Sequence, residues 1–307
     1  MTEPSPSADS KVLHLGAVVG VALAQGMIGA FAKWVPWEPL AIVCGRCVVA
    51  SCALWAWLLL RRAASVSWWD SRTWWGMVSG GVMLTGHWGT LFWAYRIGDV
   101  GPVLVALFTF PIIVSLVEPL VFGTRHLPRQ LGSAVLGALG VGLVGWQGSE
   151  AAELEFSLLS IALGLLSGAL FAVRGILNRL FVTQTGAATI MAFQTTVVAV
   201  LLSPALFVME AEQWQFGPVG LVLLLGLVFT ALTHSLSVWA LRGISFATAS
   251  IVGSLQVVSG IFVATVFLGE MLRWPIAVGA ALVVSAVLVE SLSARRPPSR
   301  RRSTPAV

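Results

Sequence analysis

The chain has 307 residues, of which 57% are hydrophobic and only 10% charged, with a formal net charge of +5. A soluble domain carries about 25% charged residues, so this composition excludes a soluble enzyme or nucleic-acid binder and points to an all-α polytopic membrane protein. The alternating polarity of short barrel strands is absent as well.

Read in windows of roughly 20 residues, the sequence predicts ten transmembrane helices at 12–33, 38–60, 73–95, 101–123, 127–146, 157–180, 185–208, 217–240, 245–269 and 273–292. Residues 1–11 are expected to be a disordered N-terminus and 293–307 a basic cytoplasmic tail. The loops are short, so neighbouring helices are antiparallel. The first segment contains Ala22-Leu23-Ala24, the small-x-small pattern of a signal-peptidase site. Its apolar run continues through Gln25 to Phe31 and ends at Lys33-Trp34, the length and flank of a spanning helix.

Segment 38–60 carries Cys44-Gly45-Arg46-Cys47. A CxxC can bind metal or cycle a disulfide. Inside an apolar helix, with Cys52 the only other cysteine, these residues read as small packing groups. Arg46 is expected to close on Glu38 or to pack between helices. Segment 73–95 holds His87, Trp88 and Trp93 and is followed by Arg96. In segment 101–123, Phe110-Pro111 lies mid-helix, where proline removes a hydrogen bond and frees the carbonyl near Leu107. Segment 157–180 contains Arg174 and Asn178, one turn apart on one face. Arg174 either holds a carboxylate or phosphate of a solute or pairs with Glu118; the pair is the favoured reading, because an unpaired buried charge is costly. Gln194 in segment 185–208, like Gln25, is a weaker candidate that can simply bond across a helix interface. Segment 217–240 holds His234 and Trp239, and segment 245–269 holds Gln256 between Gly253 and Gly260.

Charge outside the segments sets the orientation, because Lys and Arg are retained in the cytoplasm. With the N-terminus inside, only Lys33, Arg96 and Arg273 of the 18 Lys and Arg fall on the outer side, and Arg46 lies within a helix. Both termini are therefore expected in the cytoplasm. Of the tryptophans, Trp34, Trp37, Trp68, Trp69, Trp74, Trp75, Trp214 and Trp274 fall at predicted interfaces, as an aromatic belt requires.

Sliding the sequence against itself by 146 residues brings Trp93, Ala94 and Arg96 onto Trp239, Ala240 and Arg242, Gly80 onto Gly226, and Gly123 onto Gly269. An odd number of segments separates the two Trp-Ala-x-Arg stretches, so the halves 12–146 and 157–292 read as two inverted five-helix repeats, the build of many secondary transporters. Arg96 and Arg242 then both sit at helix C-termini, where the dipole favours a cation.

The stretches "EPLAIVCGRCVVAS", "GPVLVALFTFPIIVSLVEPLVFG", "GALFAVRGILNRL" and "SFATASIVGSLQVVSGIFVATVFLGEML" resemble the drug/metabolite transporter superfamily, EamA type. The last ends in the Leu268-Gly269-Glu270 that closes this family's repeat; the first half departs from it, with Thr124 after Gly123. The resemblance implies a central cavity lined mainly by segments 1, 3, 4, 6, 8 and 9 and working by alternating access, with a metabolite, amino acid or drug as solute.

Polar groups in hydrocarbon are expensive and face a cavity or a partner. Candidate solute-binding residues are therefore Gln25, His87, Trp88, Trp93, Phe110, Pro111, Arg174, Asn178, His234, Trp239 and Gln256. His87 and His234 are expected on opposite approaches to the cavity, and the three tryptophans either wall it or face lipid. The sequence predicts a carrier, an exporter by the resemblance, in a bacterial inner membrane. Its partners are a small-molecule solute, the bilayer, and protons or a counter-solute, with monomer or homodimer both open. No cofactor, metal, catalytic residue or nucleic acid is expected. The alternatives are a membrane scaffold or signalling protein, which has no need of two inverted halves, and a redox or metal-handling protein using Cys44 and Cys47.

Overall fold

The structure, a computed structural model, describes residues 8–61, 71–123 and 151–294, with isolated positions between 128 and 143. The predicted segment 127–146, Trp68, Trp69, residues 1–7 and the tail from 295 onward lie largely or wholly outside the described residues. Among those described there is no strand. The helices are α1 (Ala8–Gln25), α2 (Ile28–Trp34), α3 (Pro39–Leu60), α4 (Ser71–Ile97), α5 (Val100–Leu107), α6 (Phe110–Phe122), α7 (Ala151–Thr185), α8 (Ala187–Leu202), α9 (Pro204–Phe207), α10 (Phe216–Gly226), α11 (Thr233–Ala240), α12 (Phe246–Gly253), α13 (Leu255–Leu268) and α14 (Trp274–Ala294). A π-helical stretch, Leu227–Leu232, joins α10 to α11. Ala8 to Lys11, read as N-terminal coil from the sequence, belong to α1.

Among the described residues, five stretches are long and apolar enough to cross a bilayer: Lys11–Trp34, Pro39–Leu60, Leu158–Thr185, Phe216–Ala240 and Phe246–Leu268. Phe110–Phe122 and Ala187–Leu202 are apolar but shorter. Of the ten expected spans, five meet both criteria among the described residues.

The segments that break do so at related places. The fourth is split at Phe108-Thr109 between α5 and α6, and the ninth at Ser254 between α12 and α13. Phe108 and Ser254 are 146 residues apart, the offset of the repeat. Pro111 supplies the first break, since it cannot donate to the Leu107 carbonyl; the second has no proline. Both segments end on a glycine in the left-handed conformation, Gly123 (φ 64°) and Gly269 (φ 71°), again one repeat apart. A left-handed C-terminal residue favours glycine because it has no Cβ to clash.

Helix neighbours also exchange in pairs. α4 packs on α7 as α11 packs on α1; α5 and α6 pack on α7 as α12 and α13 pack on α1; and α4 meets α8 as α10 meets α3. α3 with α8, and the fourth segment with the ninth, are their own partners. This is the contact pattern of a pseudo-twofold relation between the halves.

Close approach at the centre depends on glycine. A Cβ on Gly26, at the break between α1 and α2, would lie 2.7 Å from the Gly260 backbone nitrogen, and one on Gly168 would lie 2.5 Å from the Leu107 carbonyl oxygen. The carbonyl freed by Pro111 therefore abuts the α7 backbone. Gly26→Ala and Gly168→Ala are expected to force helices apart and cost about 1–3 kcal/mol each. Gly16→Ala, with open space around the added methyl, is expected to be neutral or stabilising by about 0.5–1 kcal/mol. Thermal unfolding of the purified protein in detergent checks the order of the three.

Candidate functional site

At the junction of the halves, α1, the fourth segment, α7, α11 and the ninth segment enclose a cavity with about 70 Å³ of space for water. Its polar wall is Gln25, Arg174, Asn178, His234, Ser237, Ser250 and Gln256. The aromatic wall is Phe108, Phe110, Phe171 and Phe246. Phe171 lies edge-on to Phe110 at 4.8 Å, and Phe246 stacks on Phe110 at 6.2 Å. A smaller adjoining space of about 30 Å³ shares Gln25, Phe110, His234 and Gln256 and adds His87 and Trp88. Both histidines thus line one space, with the His234 ring 5.0 Å from Trp88 in an edge contact. They do not stand on opposite approaches.

Each polar residue is held by a different neighbour. Ser167 Oγ on α7 lies 2.7 Å from His87 Nδ1 and donates to the His87 carbonyl, tying α4 to α7. Gln256 Nε2 donates to the Gln25 carbonyl at 3.4 Å, and Gln25 Nε2 to Thr233 Oγ1 at 3.2 Å, linking the ninth, first and eighth segments. Among the described residues, His234 Nε2 is buried without a hydrogen-bond partner.

Two arginines are buried in the interior, and neither meets a carboxylate among the described residues. Arg174 Nε donates to Gln194 Oε1 at 2.8 Å, a second nitrogen approaches Met191 Sδ, and Gln194 Nε2 donates to Asn178 Oδ1 at 2.6 Å. The expected pair with Glu118 does not form: Glu118 is taken by Arg179, one turn further along α7. Arg46 does not reach Glu38. It donates to Thr230 Oγ1 at 2.7 Å and to the Phe229 carbonyl within the π stretch, and lies 4.3 Å over the Trp88 ring. A π turn leaves carbonyls without their usual partner, and Arg46 takes one of them.

The two ends of the bundle carry the same device. On one face Glu118, at the end of α6, accepts the Phe246 and Ala247 N–H groups at 3.0 and 2.9 Å, the start of α12 in the other half. On the opposite face Glu270, just past α13, accepts the Val100 and Gly101 N–H groups at 3.0 and 3.4 Å, the start of α5. Val100 and Phe246, like Gly101 and Ala247, are one repeat apart. A carboxylate at a helix N-terminus satisfies free N–H groups and meets the positive end of the dipole. Burial pushes the Glu270 carboxyl above its ordinary value against the downward pull of its two backbone bonds. Lys33 donates to the Gly98 carbonyl beside it at 2.9 Å. Arg96 binds the Trp37 carbonyl on the Glu270 face, and Arg242 binds the Val182 carbonyl on the Glu118 face.

A family match adds to this geometry. The model of the EamA-like transporter family matches residues 13–146 and again residues 158–292. The chain belongs to the EamA-like transporter family. It is a membrane transporter of the drug/metabolite transporter superfamily. A solved structure titled "Crystal structure of protein" aligns with 94% of this EamA-like chain and 99% of its own at a TM-score of 0.71 and 18% identity, a likeness of fold. No curated protein matches the sequence significantly.

Of the residues expected at the site of this EamA-like protein, Gln25, Phe110, Arg174, Asn178, His234 and Gln256 line the larger cavity, and His87 and Trp88 the smaller one. Trp93 is 44% exposed on the outside of α4. Trp239 stacks on His14 at 4.2 Å and lines a separate groove between α3, the start of α8 and the eighth segment. Pro111 is buried beside the cavity without lining it. Trp37, expected in the interfacial belt, is buried and donates to the Gln213 carbonyl at 2.8 Å. Cys44 and Cys47 are free and buried, with Cys44 Sγ against the Ala199 carbonyl. Phe171 and Phe246 escaped the sequence reading. Phe171 sits three positions before Arg174 on the same helical face, a spacing that marks it.

Replacing either capping carboxylate by an amide is expected to weaken its end by about 1 kcal/mol, a shift of about fivefold toward opening there. In a background with the three native cysteines replaced by alanine, Ser250→Cys reports access to the cavity. Glu118→Gln is expected to raise its labelling by an impermeant maleimide from one face, and Glu270→Gln from the other. Labelling unchanged in both variants would overturn the assignment of the two ends.

Proposed function

We propose that the protein is a secondary carrier that moves a small organic solute through the central cavity by alternating access, most simply as an exporter in a bacterial inner membrane with both termini cytoplasmic. The observation that carries this reading is the pair of crossed carboxylate caps, Glu118 on α12 and Glu270 on α5, at opposite ends of one cavity. Each cap joins one half of the chain to the other. Releasing one while keeping the other opens the cavity to one face only, which is the requirement of alternating access. The breaks at Phe108-Thr109 and Ser254 give each half a hinge beside the solute.

At about 70 Å³ the space is below the roughly 300–1,000 Å³ of an open ligand site, as expected of a closed intermediate. His234, with its free ring nitrogen, and Gln256, on the second hinge, act as the polar contacts to the solute; the phenylalanines hold its apolar part. A passive scaffold has no use for carboxylate caps on two helix starts related by the repeat, so the carrier reading is preferred to it.

The test is counterflow in proteoliposomes with a panel of radiolabelled small solutes. His234→Ala and Gln256→Ala are expected to lower transport of the accepted solute about tenfold or more while leaving membrane insertion and the gel-filtration profile unchanged. Wild-type rates in both variants would remove these residues from the site, and no solute moved across the panel would remove the carrier reading.

A further inference from the structure

We infer that the solute is a monoanion carrying no ammonium group: a carboxylate on an aromatic or short apolar body, with Arg174 as its counter-ion. The inference rests on the cavity being a solute site and names the class of solute it selects.

Arg174 is only 2% exposed, lines the cavity, and among the described residues is bonded to neutral acceptors alone. A guanidinium with no opposite charge in a membrane interior is costly. Elsewhere on the same helix the chain pairs its cation, since Arg179 holds Glu118. Glu118 also caps α12, so it is committed to the end of the cavity. Arg46, the other buried arginine, adds positive potential but is enclosed by Trp88, Phe92 and the π stretch and lines neither space. The cavity therefore offers one uncompensated charge, which one negative charge neutralises.

The remaining lining narrows the class. Asn178 Oδ1 accepts from Gln194 Nε2, leaving the Asn178 amide N–H groups as donors one turn from Arg174, and His234 Nε2 is unpartnered among the described residues. Neither lining contains Asp or Glu, so the ammonium of an amino acid or amine meets no counter-charge and faces the Arg174 guanidinium. Phe108, Phe110, Phe171 and Phe246 receive a ring or short chain. An aromatic wall alone also suits a cation; Arg174 decides against one.

Binding of benzoate, its uncharged isostere benzamide, benzylamine and phenylalanine to the full chain in nanodiscs is measured by calorimetry, with no transport step involved. Benzoate is expected to bind about tenfold or more tighter than benzamide, because charge-assisted bonds are about twice as strong as neutral ones. Benzylamine and phenylalanine are expected to bind more weakly still. Arg174→Gln is expected to bring benzoate and benzamide within about threefold of each other, and Arg174→Lys to restore part of the preference. Benzamide or benzylamine binding as tightly as benzoate to the wild-type protein would overturn the inference, and so would a carboxylate preference that survives in Arg174→Gln. The wild-type comparison stands even where a variant fails to fold. Counterflow of a neutral or cationic solute without a carboxylate would leave the carrier reading intact and remove this one, whereas benzoate binding without any counterflow would do the reverse.

Discussion

The architecture hangs on a carboxylate of each half capping the first turn of a helix in the other. Glu118 takes the N–H groups of Phe246 and Ala247, and Glu270 those of Val100 and Gly101. Each helix start would otherwise leave free donors in a low-dielectric setting, where unsatisfied backbone groups cost several kcal/mol. The donors belong to one half and the acceptor to the other, so satisfying them joins the halves at both ends of the cavity. The arginines at the ends of α4 and α11 act alongside, each holding a backbone carbonyl, of Trp37 or of Val182, at a chain reversal.

The two caps come from non-equivalent sequence positions. Glu270 follows Gly269 directly, but the corresponding Thr124 after Gly123 is no acid, and the cap in the first half comes instead from Glu118 inside α6. Sequence comparison between the halves therefore showed a missing carboxylate where the structure has one supplied from six residues earlier. Arg179 reinforces Glu118, while Glu270 has Lys33 nearby, itself engaged with Gly98. The function is retained while the register shifts.

Features tied to backbone chemistry were legible beforehand. Apolar length gave five spans among the described residues, Pro111 marked the broken fourth helix, and the 146-residue repeat located its counterpart close to Gln256. The cost of burying polar groups picked out Gln25, Arg174, Asn178, His234 and Gln256, all of which line the cavity. Side-chain direction was not legible. Trp93 and Trp88 differ by five positions on α4, one facing outward and the other fully buried over Arg46, and composition alone cannot rotate a helix. Partner choice was equally hidden: Arg174 and Arg179 share one helix, and only packing decides which of them Glu118 reaches.

The π stretch Leu227–Leu232 has no counterpart in α4, which is continuous α-helix through the equivalent residues. In the carrier proposed above, two identical halves would make the inward-open and outward-open forms equivalent by the twofold rotation and equal in energy. One widened turn, pinned by Arg46 at Thr230 and Phe229, removes that degeneracy. In the proposed carrier this gives the two open forms unequal energies, set by the fold before any gradient acts on them.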